Sequence, residues 1–492
     1  MSVDIKDSTK MRKVETIEYG DRTVTDATDS LQDFIDRTPD LIDYFYNDTK
    51  PAHSSRAETL HPVPDAFSNW RDEQTAGAES AVLLHQTYNM PSLFVKGPDA
   101  LKLLKSTAIN TFENYSLDQG KQYIACAPNG RLIADAVLYR YGEESFELVS
   151  GTPAHNWVQY RAKADGFDVE FLLDPAFNTN PTGRRIRYRF ELAGPNAKAI
   201  FDRLVDGGAP DIPFFRSRMV RMNGRDVYVL RHGMIGSFAV ELSGPFEEHD
   251  EIRSYILKIG EEFKLKPMGM NAYYSNVHSG WMGYPVSAIF TDPELEDYRR
   301  FLPSQTFERG MELGGSFESK DISDYYTTPY DHGYGRLINF DHDFHGREEL
   351  MKVPDEAKRN KVTLVWDADD VQRVIRSQWG SGPRYKSIEF PRVSYAWAQF
   401  DEVRSHRGEF LGVSRNAVYQ NPYGEVFSLA MLKPDDVAAI GSEVVITWGE
   451  PNGGSRKRQV ERHEQTTIRA RVAPAPYARD FQLHPAQRRA NE

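Results

Sequence analysis

The sequence predicts an α+β protein with a C-terminal β-barrel. Two observations carry this. A strand, a Gly-Pro turn and an amphipathic helix recur in the first half, and beyond residue 360 the chain becomes short strands separated by polar turns.

The recurring unit appears at 92–104 (SLFVKGPDALKLL), 188–201 (YRFELAGPNAKAIF) and 239–252 (AVELSGPFEEHDEI). Glycine permits the turn, and proline fits a first helical turn because its missing N–H costs nothing there. The spacings are unequal, so these are α+β modules and not a solenoid. Residues 121–139 read as a hairpin turning at Pro128-Asn129-Gly130, followed by a strand at 146–150 and a helix holding Asn156, Trp157 and Tyr160. Barrel strands are expected at 361–366, 417–420, 426–431, 444–448, 459–462 and 467–473. The expected organisation is an N-terminal extension (1–60), its first 30 residues loose or packed as an arm on a partner in a homodimer. Two interleaved α+β domains (61–355), the barrel (360–475) and a loose tail (476–492) follow.

At 492 residues the chain is too long for one core. A net charge of −12 disfavours nucleic acid as main partner, because phosphate binding needs a concentrated basic surface. The tight basic knot, Arg184-Arg185-Ile186-Arg187-Tyr188-Arg189, alternates with apolar residues and reads as a strand with a solvated basic face. One cysteine, Cys126, excludes a disulfide framework or a cysteine-rich metal site within the chain. No apolar signal core or membrane-length run is present in this sequence, so a soluble cytoplasmic protein is expected.

Nucleotide-loop, dinucleotide-fingerprint, Gly-x-Ser-x-Gly and His-Glu-x-x-His patterns are missing. Asp341-His342-Asp343-Phe344-His345 precedes a helix start and reads as capping and surface; no metal is expected. The window 230–282 is richer. Arg231 and Glu241 flank a glycine-containing turn, and Tyr273, Tyr274 and Trp281 follow. A fixed carboxylate accepts from an amino-pyrimidine edge, and a large flat ring supplies a stacking platform. Arg231 reads as a surface cation, a holder of an anion, or a partner of Glu241.

Several segments in one order carry a family resemblance: FSNWRDEQ (67–74), DALKLL (99–104), KQY (121–123), LRHGM (230–234), AYYSN (272–276), SGW (279–281), GGSF (314–317), FDHDFHGR (340–347) and WGEPNGGSRK (448–457). Over roughly 60–475 the chain resembles the folate-dependent methyl- and aminomethyltransferases related to the glycine-cleavage T-protein. Within them it is most similar to the tetrahydrofolate-dependent aryl O-demethylases of lignin-aromatic catabolism, of the vanillate/3-O-methylgallate and syringate types.

The resemblance implies a three-domain T-protein-like fold around a central folate channel. It also implies transfer of an aryl methyl ether's methyl group to N5 of tetrahydrofolate. Tyr273 is implied as the proton donor to the leaving phenoxide, on the premise of an ordinary tyrosine pKa of about 10. Glu241, Arg231, Trp281, Gln122, Tyr123 and Val149 are implied at the folate, with Asp135 near its acidic position. His61, Gln86, Tyr88, Asn89, Gly151 and His155 are implied on the side of a small methoxy-aromatic substrate. Gly151 stands where the vanillate enzyme has an arginine suited to the substrate carboxylate, and His155 or His61 is expected to take over. The competing readings are an aminomethyltransferase, a sulfonium demethylase and a non-catalytic folate-binding protein.

Overall fold

The computed structural model describes residues 29–47, 62–180, 182–234, 238–393, 395–453 and 460–477. The chain begins with two short helices, α1 (Leu31–Asp36) and α2 (Leu41–Asn47). Ser30 and Asp33 form a reciprocal capping box at the start of α1. Leu31, Phe34 and Phe45 are buried in the chain's own core, with Phe45 edge-on to Phe290. This part of the expected extension is docked on the chain's own core; residues 1–28 and 48–61 lie outside the described residues.

Next come α3 (Trp70–Glu79), β1 (Ala81–His85), β2 (Ser92–Lys96), α4 (Ala100–Thr107), β3 (Lys121–Cys126), β4 (Leu132–Gly142), β5 (Ser145–Val149), α5 (Thr152–Asp165) and β6 (Glu170–Asp174). They are followed by β7 (Arg187–Ala193), α6 (Ala197–Leu204), β8 (Ser217–Met222), β9 (Arg225–Leu230), β10 (Ala239–Pro245), α7 (His249–Gly260), β11 (Leu265–Met268), α8 (Met270–Tyr274) and α9 (Glu296–Phe301). A first sheet has the order β11-β1-β7-β10-β9-β8 and a second β3-β4-β5-β2-β6. Sequence neighbours β1 and β2 thus belong to different sheets.

The glycine turns are required where a strand hands over to a helix. Gly97 (φ 143°) and Gly194 (φ 119°) lie in the region that favours glycine, and a Cβ on either would meet backbone atoms at 2.5 and 2.8 Å.

After β12 (Leu313–Gly314), α10 (Arg347–Lys352), β13 (Asn360–Trp366), α11 (Ala368–Arg376) and β14 (Ala398–Gln399), the chain forms β15 (Asp401–Arg404), β16 (Phe410–Gln420), β17 (Glu425–Leu432), β18 (Glu443–Trp448) and β19 (Thr466–Pro474). The closed barrel runs β13-β17-β16-β15-β18-β19. Its sixth strand is β15 and not the expected 459–462: residues 460–462 form no strand, and Gln459 lies outside the described residues. The run Asp401-Glu402-Val403-Arg404 is too charged to show as a strand in sequence, yet Val403 and Asp401 are buried. Val362, Leu364, Ala430 and Leu432 fill the barrel, while Val365, Phe427, Leu429, Met431 and Val413 face the rest of the molecule. Of the expected tail, Tyr477 packs on Phe427 at 4.4 Å; residues 478–492 lie outside the described residues.

Candidate active site

Two sheet faces meet across a buried ionic layer. On the first sheet Tyr188, Phe190, Leu192, Val240 and Leu242 point to a core shared with α6 and α7. The alternating residues Arg187, Arg189, Glu191, Glu241 and Ser243 therefore point the other way. Across from them the second sheet presents Tyr139, Tyr141, Glu147 and Val149.

Arg189 is the hub. Its Nη2 donates to Glu147 Oε1 at 2.9 Å, and its Nη1 donates to Tyr139 Oη at 2.7 Å and Glu241 Oε2 at 3.3 Å. Tyr139 also donates to Glu241, and His232 Nδ1 lies 3.0 Å from the other Glu241 oxygen. Burial would raise the Glu241 pKa, but His232, Arg189 and Tyr139 outweigh it and hold the carboxyl at about 2. Glu241 is thus an ionised acceptor fixed on two sides.

This overturns two expectations. The 184–189 knot is not a solvated basic face. Arg185 is paired with Asp174 at 2.7 Å, Arg189 is buried between two carboxylates, and the exposed members are Arg184 and Ile186. Nor is Arg231 the cation seen bonded to Glu241. Its Nη1 donates to the Ala239 carbonyl at 2.6 Å and its guanidinium lies 3.9 Å over the Phe238 ring. The turn's residues 235–237 lie outside the described residues.

Glu191, Gln86, Met234 and Tyr273 form the next cluster. Glu191 faces Glu241 as its cross-strand partner and Leu84 on the other side. It accepts from the Met234 N–H and from Gln86 Nε2, both at 2.8 Å. A carboxylate accepting from Gln86 fixes the amide's orientation, because only the nitrogen end donates. The other end, Gln86 Oε1, is then a buried acceptor without a partner among the described residues. Sequence reasoning missed Glu191 and Arg189; both are charged residues on alternate positions of one strand, a weak signal without the opposing sheet.

Tyr273 lies on α8, 6% exposed, with its hydroxyl 3.6 Å from Met234 Sδ. Burial, followed by Tyr274, Glu191, Tyr284 and Glu241, pushes its phenol well above the ordinary value. The premise of an unperturbed tyrosine is overturned: this phenol stays protonated. Asn89 reaches Met270 Sδ, at the start of the same helix, at 3.7 Å.

A second wall is aromatic. Tyr284 stacks parallel to Trp397 at 6.0 Å and stands edge-on to Trp281 and Phe307. A Cβ on Gly151 would lie 2.8 Å from the Tyr284 ring, so that ring fills the space a side chain at 151 would occupy. Trp281 keeps 37% of its surface exposed, available to a flat ligand. Asp135 accepts from Gln122 Nε2 at 3.2 Å and from the Tyr334 hydroxyl at 2.6 Å; burial raises its pKa. Val149 is buried with Tyr139, Tyr228 and Leu230.

Three implied site residues fall elsewhere. Tyr123 alternates with Gln122 on β3, so its ring is fully buried in the core and its hydroxyl donates to the Thr107 carbonyl. His155 lies inside α5's core contact, 3.0 Å from the Leu148 carbonyl, and burial lowers its pKa to about 4. A neutral, buried imidazole does not anchor a carboxylate. Tyr88 turns its ring to His85, Phe246 and His249 beside α7. His61 lies outside the described residues. In the 341–345 segment, His342 bonds the Ala108 carbonyl and His345 stands edge-on to Trp157, each in a separate contact. Among the described residues no group of three or more metal-ligating side chains comes together, and no helix is long and apolar enough to cross a membrane.

The sequence profile of the GCVT N-terminal domain matches residues 44–277. A syringate O-demethylase of Sphingobium sp. is 37% identical over 451 residues, 91% of this chain and 96% of that protein. A sesamin methylene transferase of Sinomonas sp. is 27% identical over 429 residues, 82% of this chain and 90% of that protein. The glycine-cleavage aminomethyltransferase T of Bartonella henselae superposes with a TM-score of 0.56 at 16% identity, over 85% of this chain and 92% of that one, a likeness of fold.

Proposed function

We propose that this chain, which belongs to the glycine-cleavage T-protein superfamily in its aryl O-demethylase type, moves the methyl group of a methoxy-aromatic acid to tetrahydrofolate. The products are a phenol and 5-methyltetrahydrofolate. The substrate class is that of syringate, vanillate or 3-O-methylgallate, and the setting is cytoplasmic. The observation that carries the reading is the pairing of an ionised, rigidly held Glu241 with a protonated, buried Tyr273 in one site.

The donor set fits a reduced pterin. Its amino-pyrimidine edge offers N–H donors, which call for a fixed acceptor such as Glu241. Trp281, Gln122, Asp135 and Val149 complete the folate side, with Arg231 nearby. When bound, tetrahydrofolate supplies the nucleophilic N5 that receives the methyl group.

The chain's own groups do the rest. Methyl transfer needs an in-line approach, which a rigid two-sheet scaffold favours. A phenoxide is a poor leaving group in a dry site unless its oxygen is hydrogen-bonded as the bond breaks. Tyr273 supplies that proton. Its high pKa suits the task, since the departing phenoxide sits in the same apolar surroundings and is raised by the same desolvation. Gln86 Oε1, an acceptor without a partner among the described residues, takes a donor from the ligand, such as a free ring hydroxyl beside the methoxyl group.

Incubation with tetrahydrofolate and a panel of methoxybenzoates tests the reading. Released phenol and methylated folate in equal amounts are expected. Folate binding without turnover across the panel would contradict it, as would activity confined to an aminomethyl or sulfonium donor.

A further inference from the structure

The outer face of the barrel carries a buried cation that the reaction does not use. Arg415, on β16, is 2% exposed. It pairs across strands with Leu429 of β17, which in turn pairs with Thr363 of β13. All three lie on the face that packs against the rest of the molecule. Arg415 Nη2 donates to the Tyr284 carbonyl at 3.1 Å, and the guanidinium stacks 4.8 Å from the Phe400 ring centre. Its Nε and Nη1 have no acceptor among the described residues.

Three other buried arginines have their donors taken up. Arg185 and Arg189 have carboxylates, and Arg299 donates to Gln32 and to the carbonyls of Ile289 and Asp292. Around Arg415 the balance is positive. Burial keeps His332 neutral, with Arg415, Lys361 and Arg359 adding to the effect. Asp331 takes Arg359 through two bonds of 2.7 and 2.8 Å, and Asp135 is the acid near Lys361. Arg415 is left without an acid among the described residues, and burial alone lowers its pKa to about 10. An unpaired buried charge is strongly unfavourable, so it persists where an anion completes it. Its neighbour Tyr284 is the residue whose ring fills the space at Gly151, so this cation borders the Tyr273 site.

We propose that Arg415 anchors a carboxylate-binding subsite at the edge of that site, taking the carboxylate of the aromatic acid or that of the folate's glutamyl tail. Which ligand brings the carboxylate rests on the reaction proposed above; the subsite itself does not.

Binding to the full-length protein tests it, with benzoate and benzamide in one arm and tetrahydrofolate and tetrahydropteroate in the other. Arg415→Met is expected to match or exceed the wild-type Tm without ligand, since it removes an unpaired buried charge. In one arm it is expected to weaken binding by about 30-fold or more, the usual cost of truncating a buried charged contact. Loss for benzoate but not benzamide identifies the aromatic acid. Loss that brings tetrahydrofolate down to tetrahydropteroate identifies the glutamyl tail. Arg415→Lys, which keeps the charge, is expected to retain part of the affinity. Wild-type affinity in both arms for Arg415→Met, or ligand-free destabilisation of both variants, overturns the proposal. Benzoate cannot be demethylated. Arg415-dependent benzoate binding without turnover of any methoxybenzoate would therefore sink the reaction and leave the subsite, and the reverse result would do the opposite.

Discussion

Tyr273 and Glu241 are both buried side chains, and burial has opposite consequences for them. Tyr273 is buried among a thioether, two other tyrosines and two carboxylates, so its proton stays on. Tyr273→Phe is expected to lower kcat by ~10²-fold or more with tetrahydrofolate affinity nearly intact. Unchanged turnover, measured at saturating folate, would remove Tyr273 from its role. Glu241 has three donors that overcome its desolvation. Its folded pKa lies below the ordinary value, so it adds stability above the unfolded carboxyl pKa, and that stability is lost as pH falls toward about 2. Tetrahydrofolate affinity is accordingly expected to be flat between about pH 5 and pH 8 as far as this carboxylate is concerned. A decline with a midpoint near an ordinary carboxylate pKa would show that Glu241 is not held in this way.

At the scale of elements, β7 is where local pattern and tertiary context part. Its basic residues alternate with apolar ones, a period that is legible in sequence. Which face would be dry was not legible, because it depends on Glu147 and Glu241 arriving from two other strands. The same limit applies to Gln122 and Tyr123. Their alternation was visible, and both were nevertheless assigned to one ligand; the structure sends Tyr123 into the core. By contrast the glycine turns at 97 and 194 and the barrel's apolar-alternating strands follow from local chemistry and were legible, whereas the charged β15 was not. Arg189→Met is expected to destabilise the fold by ~3–5 kcal/mol, since it leaves two buried carboxylates short of their cation. Denaturant unfolding at neutral pH measures this, and a change below about 1 kcal/mol would show that the ionic layer does not depend on Arg189.

For the whole molecule, the interleaving of β1 and β2 into separate sheets brings Gln86, Tyr139, Arg189, Glu241 and Tyr273 together from segments far apart in the chain. The barrel packs its outer face on this pair of layers, so that Arg415 reaches the backbone of Tyr284. Residues matching a family pattern were readable as a set, whereas the supports that fix them belong to packing between layers. The central claim is direct transfer of an ether methyl group to folate N5. It is tested by following isotope from methoxyl-labelled syringate in the presence of tetrahydrofolate. The account predicts that the label appears in 5-methyltetrahydrofolate, one methyl group for each phenol released. Label recovered as methanol or formaldehyde, or phenol released without methylated folate, would contradict it.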